Sequence, residues 1–536
     1  MVSLLIAFLV CVLLVYLLSR LSLKHARLPL PPGPKGLPFI GNLWDVPAEY
    51  PWLTYARWAA TYGDIFYLDT PGNLTVVINS AEVAADLFEK RSGIYSDRPD
   101  FTMINLVGWG FNSRAVPAYY PVQMKATLVL LQQLLKSPDE FVRHGRHHAG
   151  SVIMKTVYGY DVDPNGDRFV VLVDRAMESL RIIGNVGTFL VDYIPSMKYL
   201  PRWFPGANFM NLADAWRKDV EEMVNGPFAY ASESMANGIV TSSFVSENLT
   251  KMKETSMSEK ATRLEIVRNA AGVAFAAGAD TTVSVILSTM LAFLLYPEVQ
   301  AKAQAELDAV VGPTRLPNFD DRPQLPYIDA ILFEALRWNP TVPMGVAHRS
   351  LNADIYKGYY IPAGATVVGN TWAILHDEKF YPNPLVFDPD RFIPEEGKEP
   401  QPEPIAVFGF GRRICPGRYL ALNSAWIVIA SMASTLSFTK AIDSEGRVIE
   451  PSDTFTDGFL RQVLSHKLSH TFQMYYKGNL WDVPVEYPWL TYTQWASTYG
   501  DVFYLDTPGN PTVVINSAQA AADLFEKRSA FRELLQ

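Results

Sequence analysis

One thiol in the body of this chain sits in the run Phe408-Gly-Phe-Gly-Arg-Arg-Ile-Cys415-Pro-Gly417. The other cysteine, Cys11, lies in an apolar N-terminal stretch, so a disulfide framework is excluded and a reducing compartment fits. An apolar helical pattern from Arg418 to Ser431 follows and puts Cys415 at a helix N-terminus. The dipole and free N–H groups there favour a thiolate and predict a lowered pKa. Gly409, Gly411 and Gly417 allow tight turns and close approach to a flat ligand. Arg413 offers a cation to a carboxylate, and Phe408 can shield the sulfur from water. The plainer reading of these residues is a buried structural cysteine in a glycine-rich turn.

Three further groups could do chemistry. Ala277-Gly-Ala-Asp280-Thr281-Thr lies in an apolar helical stretch, Leu264–Leu295. Asp280 is acidic in apolar surroundings, so its burial requires a partner or a purpose. The Thr281 hydroxyl can hold a water or dioxygen for proton delivery, or else bond back to a carbonyl one turn earlier. Glu334-Ala-Leu-Arg337 is an i,i+3 ion pair that by itself means only a solvated helix face. His348-Arg349 is followed by Asp354 and Gly358, and His348 can equally be a packing residue.

The elements that must position these groups are mostly helical. Trp52–Tyr62 and Ser80–Lys90 read as helices around strands Ile65–Leu68 and Thr75–Ile78, with Pro71-Gly72-Asn73 as the turn. Helical stretches run through Phe169–Asn185, Leu212–Met235, Leu264–Leu295, Pro297–Val311 and Tyr327–Trp338. Strand-like pieces follow at Asp354–Tyr356 and Thr366–Gly369, then proline-rich irregular chain from Tyr381 to Pro404. This predicts a mainly α fold with small β-sheets and no βαβ alternation.

The chain has 536 residues, of which 49% are hydrophobic and 12% aromatic, enough for a large core. A net charge of −9 with no long basic run argues against nucleic acid as a partner. Val2 to Leu18 carry no charge, and Arg20, Lys24, His25, Arg27 and Lys35 follow. This predicts a transmembrane anchor over 1–23 with the body on the cytosolic side, in preference to a cleaved signal peptide. Residues 24–40 form a linker with five prolines in the eleven residues Leu28–Pro38. The chain also repeats itself: 41–92 recurs as 478–529 at an offset of 437, with eight differences over 52 positions. That spacing is too long for a solenoid.

Phe408, Gly411, Arg413, Cys415 and Gly417 together resemble the haem-binding loop of the cytochromes P450. The resemblance implies haem b (iron protoporphyrin IX), with Cys415 as the iron ligand and Arg413 on a propionate. Thiolate donation then promotes O–O cleavage. Asp280 and Thr281 resemble that family's oxygen-activation motif. Glu334 and Arg337 resemble its Glu-x-x-Arg pair, with Arg391 of Pro389-Asp-Arg-Phe392 as a structural third partner. Arg349, and less so His348, occupy the place of a propionate ligand. The wording is most similar to fungal microsomal members, including O-methylsterigmatocystin oxidoreductase-like ones.

The resemblance implies a single-pass protein of the endoplasmic reticulum membrane. It would insert one oxygen atom of O2 into a small lipophilic substrate, with electrons from NADPH through NADPH–cytochrome P450 reductase. Two departures from the family stand out. Gly108-Trp-Gly-Phe-Asn-Ser-Arg114-Ala-Val-Pro117 passes the place of a basic Trp-x-x-x-Arg helix without building one, so a haem-pocket helix is expected to be missing near 112–113. After Arg461 the family's C-terminal hairpin gives way to the repeated segment. The monooxygenase domain therefore spans 41–477, and 478–529 is not expected to be integral to it. A rival reading is a catalytically dead, haem-deficient product of a fused or mis-spliced tandem gene. A reductase-free isomerase or peroxygenase is a third, disfavoured by the Asp280–Thr281 pair.

Overall fold

The structure, a computed structural model, describes residues 28–98 and 119–463 except 39, 71–72, 185–188, 194, 253–256, 398, 444 and 452–453, together with 472–476, 502–505 and 512–515. The expected anchor over 1–23, the gap near 112–113 and most of 478–529 lie outside the described residues.

Nine helices carry the argument: α1 (Pro51–Tyr62), α2 (Tyr120–Lys136), α3 (Phe141–Tyr158), α4 (Arg168–Ile183), α5 (Phe209–Ala236), α6 (Met257–Leu295), α7 (Pro297–Val310), α8 (Pro326–Trp338) and α9 (Arg418–Thr435). Pro at the first or second position opens α1, α2, α7 and α8, where no N–H is needed and φ is already helical. Asp167 caps α4 by accepting from the Phe169 N–H, and Gly159 ends α3 in the left-handed region at φ 73°.

The central element is α6, 39 residues or about 58 Å long. Its C-terminal half is apolar all round because it is covered all round, by α2, α8 and α9 in one core cluster. Its N-terminal half joins α3, α4 and α5 in a second cluster. Among the described residues it is the helix long and apolar enough to cross a membrane, but its apolar window is 83% buried, which makes it a core helix.

The helices α2 and α3 were not expected from the sequence. In α3, Gly145, Gly150, three histidines and several β-branched residues lower the helix propensity. Packing overrides it. A Cβ on Gly278 of α6 would stand 2.8 Å from the Ile153 side chain, and one on Gly150 would stand 3.0 Å from Val170. These glycines let α3 lie close against its neighbours.

A four-stranded sheet has the order β1-β2-β6-β3, built from β1 (Ile65–Thr70), β2 (Asn73–Ile78), β3 (His348–Arg349) and β6 (Thr366–Gly369). In it β2 and β6 run parallel, with Ile78 opposite Gly369. Two further strands, β4 (Asp354–Tyr356) and β5 (Tyr359–Ile361), form a hairpin. The proline-rich linker is anchored rather than merely extended: Pro32 accepts from the Tyr67 N–H and Pro29 from the Tyr360 N–H.

Past Arg461 the chain does not leave the body at once. The strand β8 (Phe472–Tyr476) pairs antiparallel with β7 (Leu436–Lys440), so the body extends to just before the repeat. Within the repeat, β9 (Val502–Leu505) and β10 (Thr512–Ile515) form a hairpin in which Val502 faces Ile515. That is the register of Ile65 and Ile78 in the first copy.

Candidate functional site

The thiol is held by the backbone on both sides. The Cys415 N–H donates to the Phe408 carbonyl at 2.8 Å, and the Phe408 ring packs on the main core cluster. On the other side α9 begins with no side-chain cap, and the N–H groups of Gly417 and Arg418 reach the sulfur. The expected lowering of the thiol pKa is overturned: burial pushes it above the ordinary value, outweighing those N–H groups and the Arg418 charge. A helix N-terminus acts against desolvation here and does not win alone.

The loop glycines divide. Gly411 has φ 56°, and a Cβ there would stand 2.0 Å from the Phe88 carbonyl, so glycine is required. Gly409 also turns at positive φ, 80°. Gly417 does not: its φ is −83°, open to any residue. A Cβ there would stand 3.8 Å from the Cys415 sulfur, an ordinary contact, so neither backbone nor space requires glycine at 417. Phe410 stacks on Phe88 at 5.4 Å, and Phe88 lies 4.3 Å from the His348 ring, tying the loop to the sheet. Sequence reasoning missed Phe88, which carries no motif.

The α6 helix is buried through most of its length, yet Ala277 is exposed and Ala274 and Thr281 are half-buried, all on one face. Ala274 and Leu420 of α9 border the same apolar cluster, together with Val342 and Phe459. An open, small-residue face on α6 therefore lies in one apolar neighbourhood with the start of α9.

Asp280 and Thr281 diverge. Thr281 Oγ1 donates to the Ala277 carbonyl at 2.7 Å, the bond one turn back. Asp280 is buried and gripped by Arg181 of α4, 2.9 Å from Oδ2 and 3.0 Å from Oδ1 through Nη2. Arg181 was not expected, since 99 residues separate it from Asp280.

The basic groups lie as follows. Asp354 pairs with Arg91 at 2.7 Å and accepts from the Tyr95 hydroxyl at 2.9 Å. The Arg349 guanidinium lies beside Gly364. His348 is buried with Nδ1 2.6 Å from the Tyr95 carbonyl. Arg413 Nε donates to the Ser96 carbonyl at 2.8 Å. Arg98, missed in the sequence, donates to the Val346 and Ala347 carbonyls. Burial and then Arg413 push the Arg98 pKa down to about 10, and burial, Arg98 and Arg413 push His348 to about 4.

Glu334 of α8 is fully buried, paired with Arg337 at 2.7 Å and Arg391 at 3.2 Å, and it accepts from the Asp388 N–H. The structural triad is assembled as expected.

These residues fit a flat dianionic group with a central metal. The thiol is flanked by N–H donors and the α6 face is open. The Arg413 cation disfavours the charge on Arg98, a repulsion that an anion between them relieves.

The comparisons agree with this geometry. The family model described as "Cytochrome P450" matches residues 118–470. A cytochrome P450 monooxygenase of Armillaria gallica is 41% identical over 477 residues, covering 83% of this chain and 92% of its own. Cytochrome P450 monooxygenase 208 of Postia placenta is 40% identical, covering 81% and 88%. Tryptamine 4-monooxygenase of Psilocybe cyanescens is 36% identical, covering 83% and 93%. None of these three carries the O-methylsterigmatocystin name. With a helical body, small sheets and relatives matched over most of their length, this chain belongs to the fungal cytochrome P450 monooxygenases, a family of oxidoreductases.

Proposed function

We propose that the chain is a membrane-anchored monooxygenase that holds haem b through Cys415 and oxygenates a small lipophilic molecule. The observation that carries this reading is Cys415, a free thiol at the N-terminus of α9 in the apolar neighbourhood of the open α6 face. Haem b, when bound, supplies the iron at which dioxygen is activated for insertion of one oxygen atom.

The chain's own residues would divide the work. Cys415 Sγ ligates the metal, with the Gly417 and Arg418 N–H groups stabilising its charge. Arg413 and Arg98 hold carboxylates, and Arg349 and His348 flank them. Phe408 and Gly411 fix the loop. Thr281 Oγ1 passes a proton toward the open face once released from the Ala277 carbonyl, and Asp280 relays it as a carboxylate that first takes the proton up from solvent water. The exposed face of α6, with Ala274, Ala277 and Thr281, carries no charged side chain, which supports an uncharged, lipophilic substrate. Electrons come from NADPH through a cytochrome P450 reductase, with the body on the cytosolic face of the endoplasmic reticulum and 1–23 as anchor.

A haem-deficient product is the second reading, favoured by the absence of Trp-x-x-x-Arg between Gly108 and Tyr120. One experiment separates them: the carbon-monoxide difference spectrum of the reduced protein in microsomes. A strongly red-shifted Soret band is expected for the unmutated chain and should vanish in Cys415→Ser, whose oxygen donates poorly to iron. No band in the unmutated chain sinks the monooxygenase reading. A band that survives the substitution removes Cys415 as ligand.

A further inference from the structure

Arg181 is not the only group on the Asp280 carboxylate. Gln462 Nε2 donates to Asp280 Oδ1 at 2.9 Å and lies 3.5 Å from the Asp280 main-chain oxygen. Both side chains are buried. Arg181 occupies both carboxylate oxygens and is itself held by Asp174 and Glu178, so its guanidinium has little freedom to follow Asp280. The neutral amide of Gln462 comes from a separate segment.

That segment, 455–463, is closed on itself and tied to three elements. Phe455 bridges Val463, and Gln462 exchanges two hydrogen bonds with Thr456. The Phe459 N–H donates to the Arg181 carbonyl, the Arg461 N–H to the Thr341 carbonyl, and the Ser284 hydroxyl of α6 to the Arg461 carbonyl. Phe459 itself lies against Gly184 at the end of α4, on the border of the second core cluster. The segment thus grips α4 at Phe459, α6 at Arg461 and the acid one residue later.

We propose that Gln462 is a positioning residue for Asp280, fixing the orientation from which its carboxyl group passes a proton to Thr281. This rests on the monooxygenase reading above. Without the amide, Oδ1 keeps only its contact with Arg181, the carboxylate loses one defined orientation, and protons reach the site at the wrong moment. The reduced oxygen is then lost as hydrogen peroxide.

Three measurements on the full-length, haem-loaded protein test this. Gln462→Met keeps the side chain's length and removes its donor. Its product per NADPH should fall on the order of tenfold, the size expected of one lost hydrogen bond to a charged group, with peroxide making up the difference. Substrate affinity and haem content should stay unchanged. Amide hydrogen exchange at Phe459 and Arg461 should quicken, a readout independent of turnover.

Gln462→Glu supplies the third measurement. A carboxylic acid there donates an O–H as the amide does, while its carboxylate faces Asp280 as a like charge. The charged groups around it are Asp280 and Arg181, with Asp174 and Glu178 behind Arg181 and Arg461 next in the chain. Product yield in this variant should approach the unmutated value at low pH and fall as pH rises, whereas Gln462→Met should show no such dependence. Unchanged coupling in Gln462→Met, or a pH-independent yield in Gln462→Glu, overturns the proposal while the carbon-monoxide band remains normal. An unmutated chain without that band defeats the monooxygenase reading, and this proposal with it.

Discussion

Thr281, the hydroxyl proposed to pass a proton, is bonded within its own helix. Its bond to the Ala277 carbonyl at 2.7 Å is short and local, yet Ala277 and Thr281 lie on the open face of α6. A helix carbonyl already serves an N–H one turn on, so the hydroxyl can leave it at a cost of about 1 kcal/mol. Thr281→Ala should therefore leave folding and haem content intact. NADPH consumption should continue while product falls and peroxide rises. Coupling equal to that of the unmutated protein would reduce Thr281 to a helix-packing residue.

At the scale of elements, α8 is locked to the irregular chain after β6 by charge inside the core. Glu334 and Arg337 are fully buried, and Arg391 nearly so. Glu334→Gln keeps the shape and leaves two buried guanidinium groups without their anion, which costs about 3–5 kcal/mol. A fall of that size in the urea unfolding free energy is expected, and an unchanged midpoint would show that the triad is not holding α8. Packing of α3 carries a second consequence. His148 is buried against Thr127, and burial pushes its pKa down to about 3. The unfolded chain, with an ordinary histidine near 6.5, binds a proton first as pH falls, so stability rises with pH between about 3 and 6.5. This one group contributes at most about 1.4 kcal/mol per pH unit in that window. His148→Gln should flatten the dependence of the unfolding midpoint between pH 5 and 6.5, and an unaltered slope would show that His148 is not the group responsible.

The whole molecule contains the same strand–turn–strand twice. In the first copy β2 finds β6 as a parallel neighbour, and in the second, among the described residues, β10 pairs with β9. Open strand edges of this kind promote association between chains. Ending the chain after Lys477 keeps β8 on β7, and should leave haem content unchanged while reducing aggregation in size-exclusion chromatography. Ending it after Ser469 removes β8 as well, uncovers the edge of β7, and should lower the unfolding midpoint. If the first truncation also destroys folding, the repeat is integral to the body.

The chemistry of this chain was legible where it depends on neighbours in sequence. Cys415 before Pro-Gly and a helix, the Asp280–Thr281 pair, the Glu334–Arg337 spacing and the alternating strands of β1 and β2 are local patterns, and local backbone geometry places them. The partners were not legible, because they arrive from far along the chain: Arg181 and Gln462 on Asp280, Phe88 under Gly411, Arg98 beside Arg413, and Arg91 on Asp354. The helix α3 escaped notice for the same reason, since its glycines weaken it alone and suit it only to lie against α6 and α4. Residue order determined which groups could react. Desolvation and long-range packing, known only once the chain is folded, decided what each is bonded to and raised the Cys415 pKa where its helix position alone predicted the reverse.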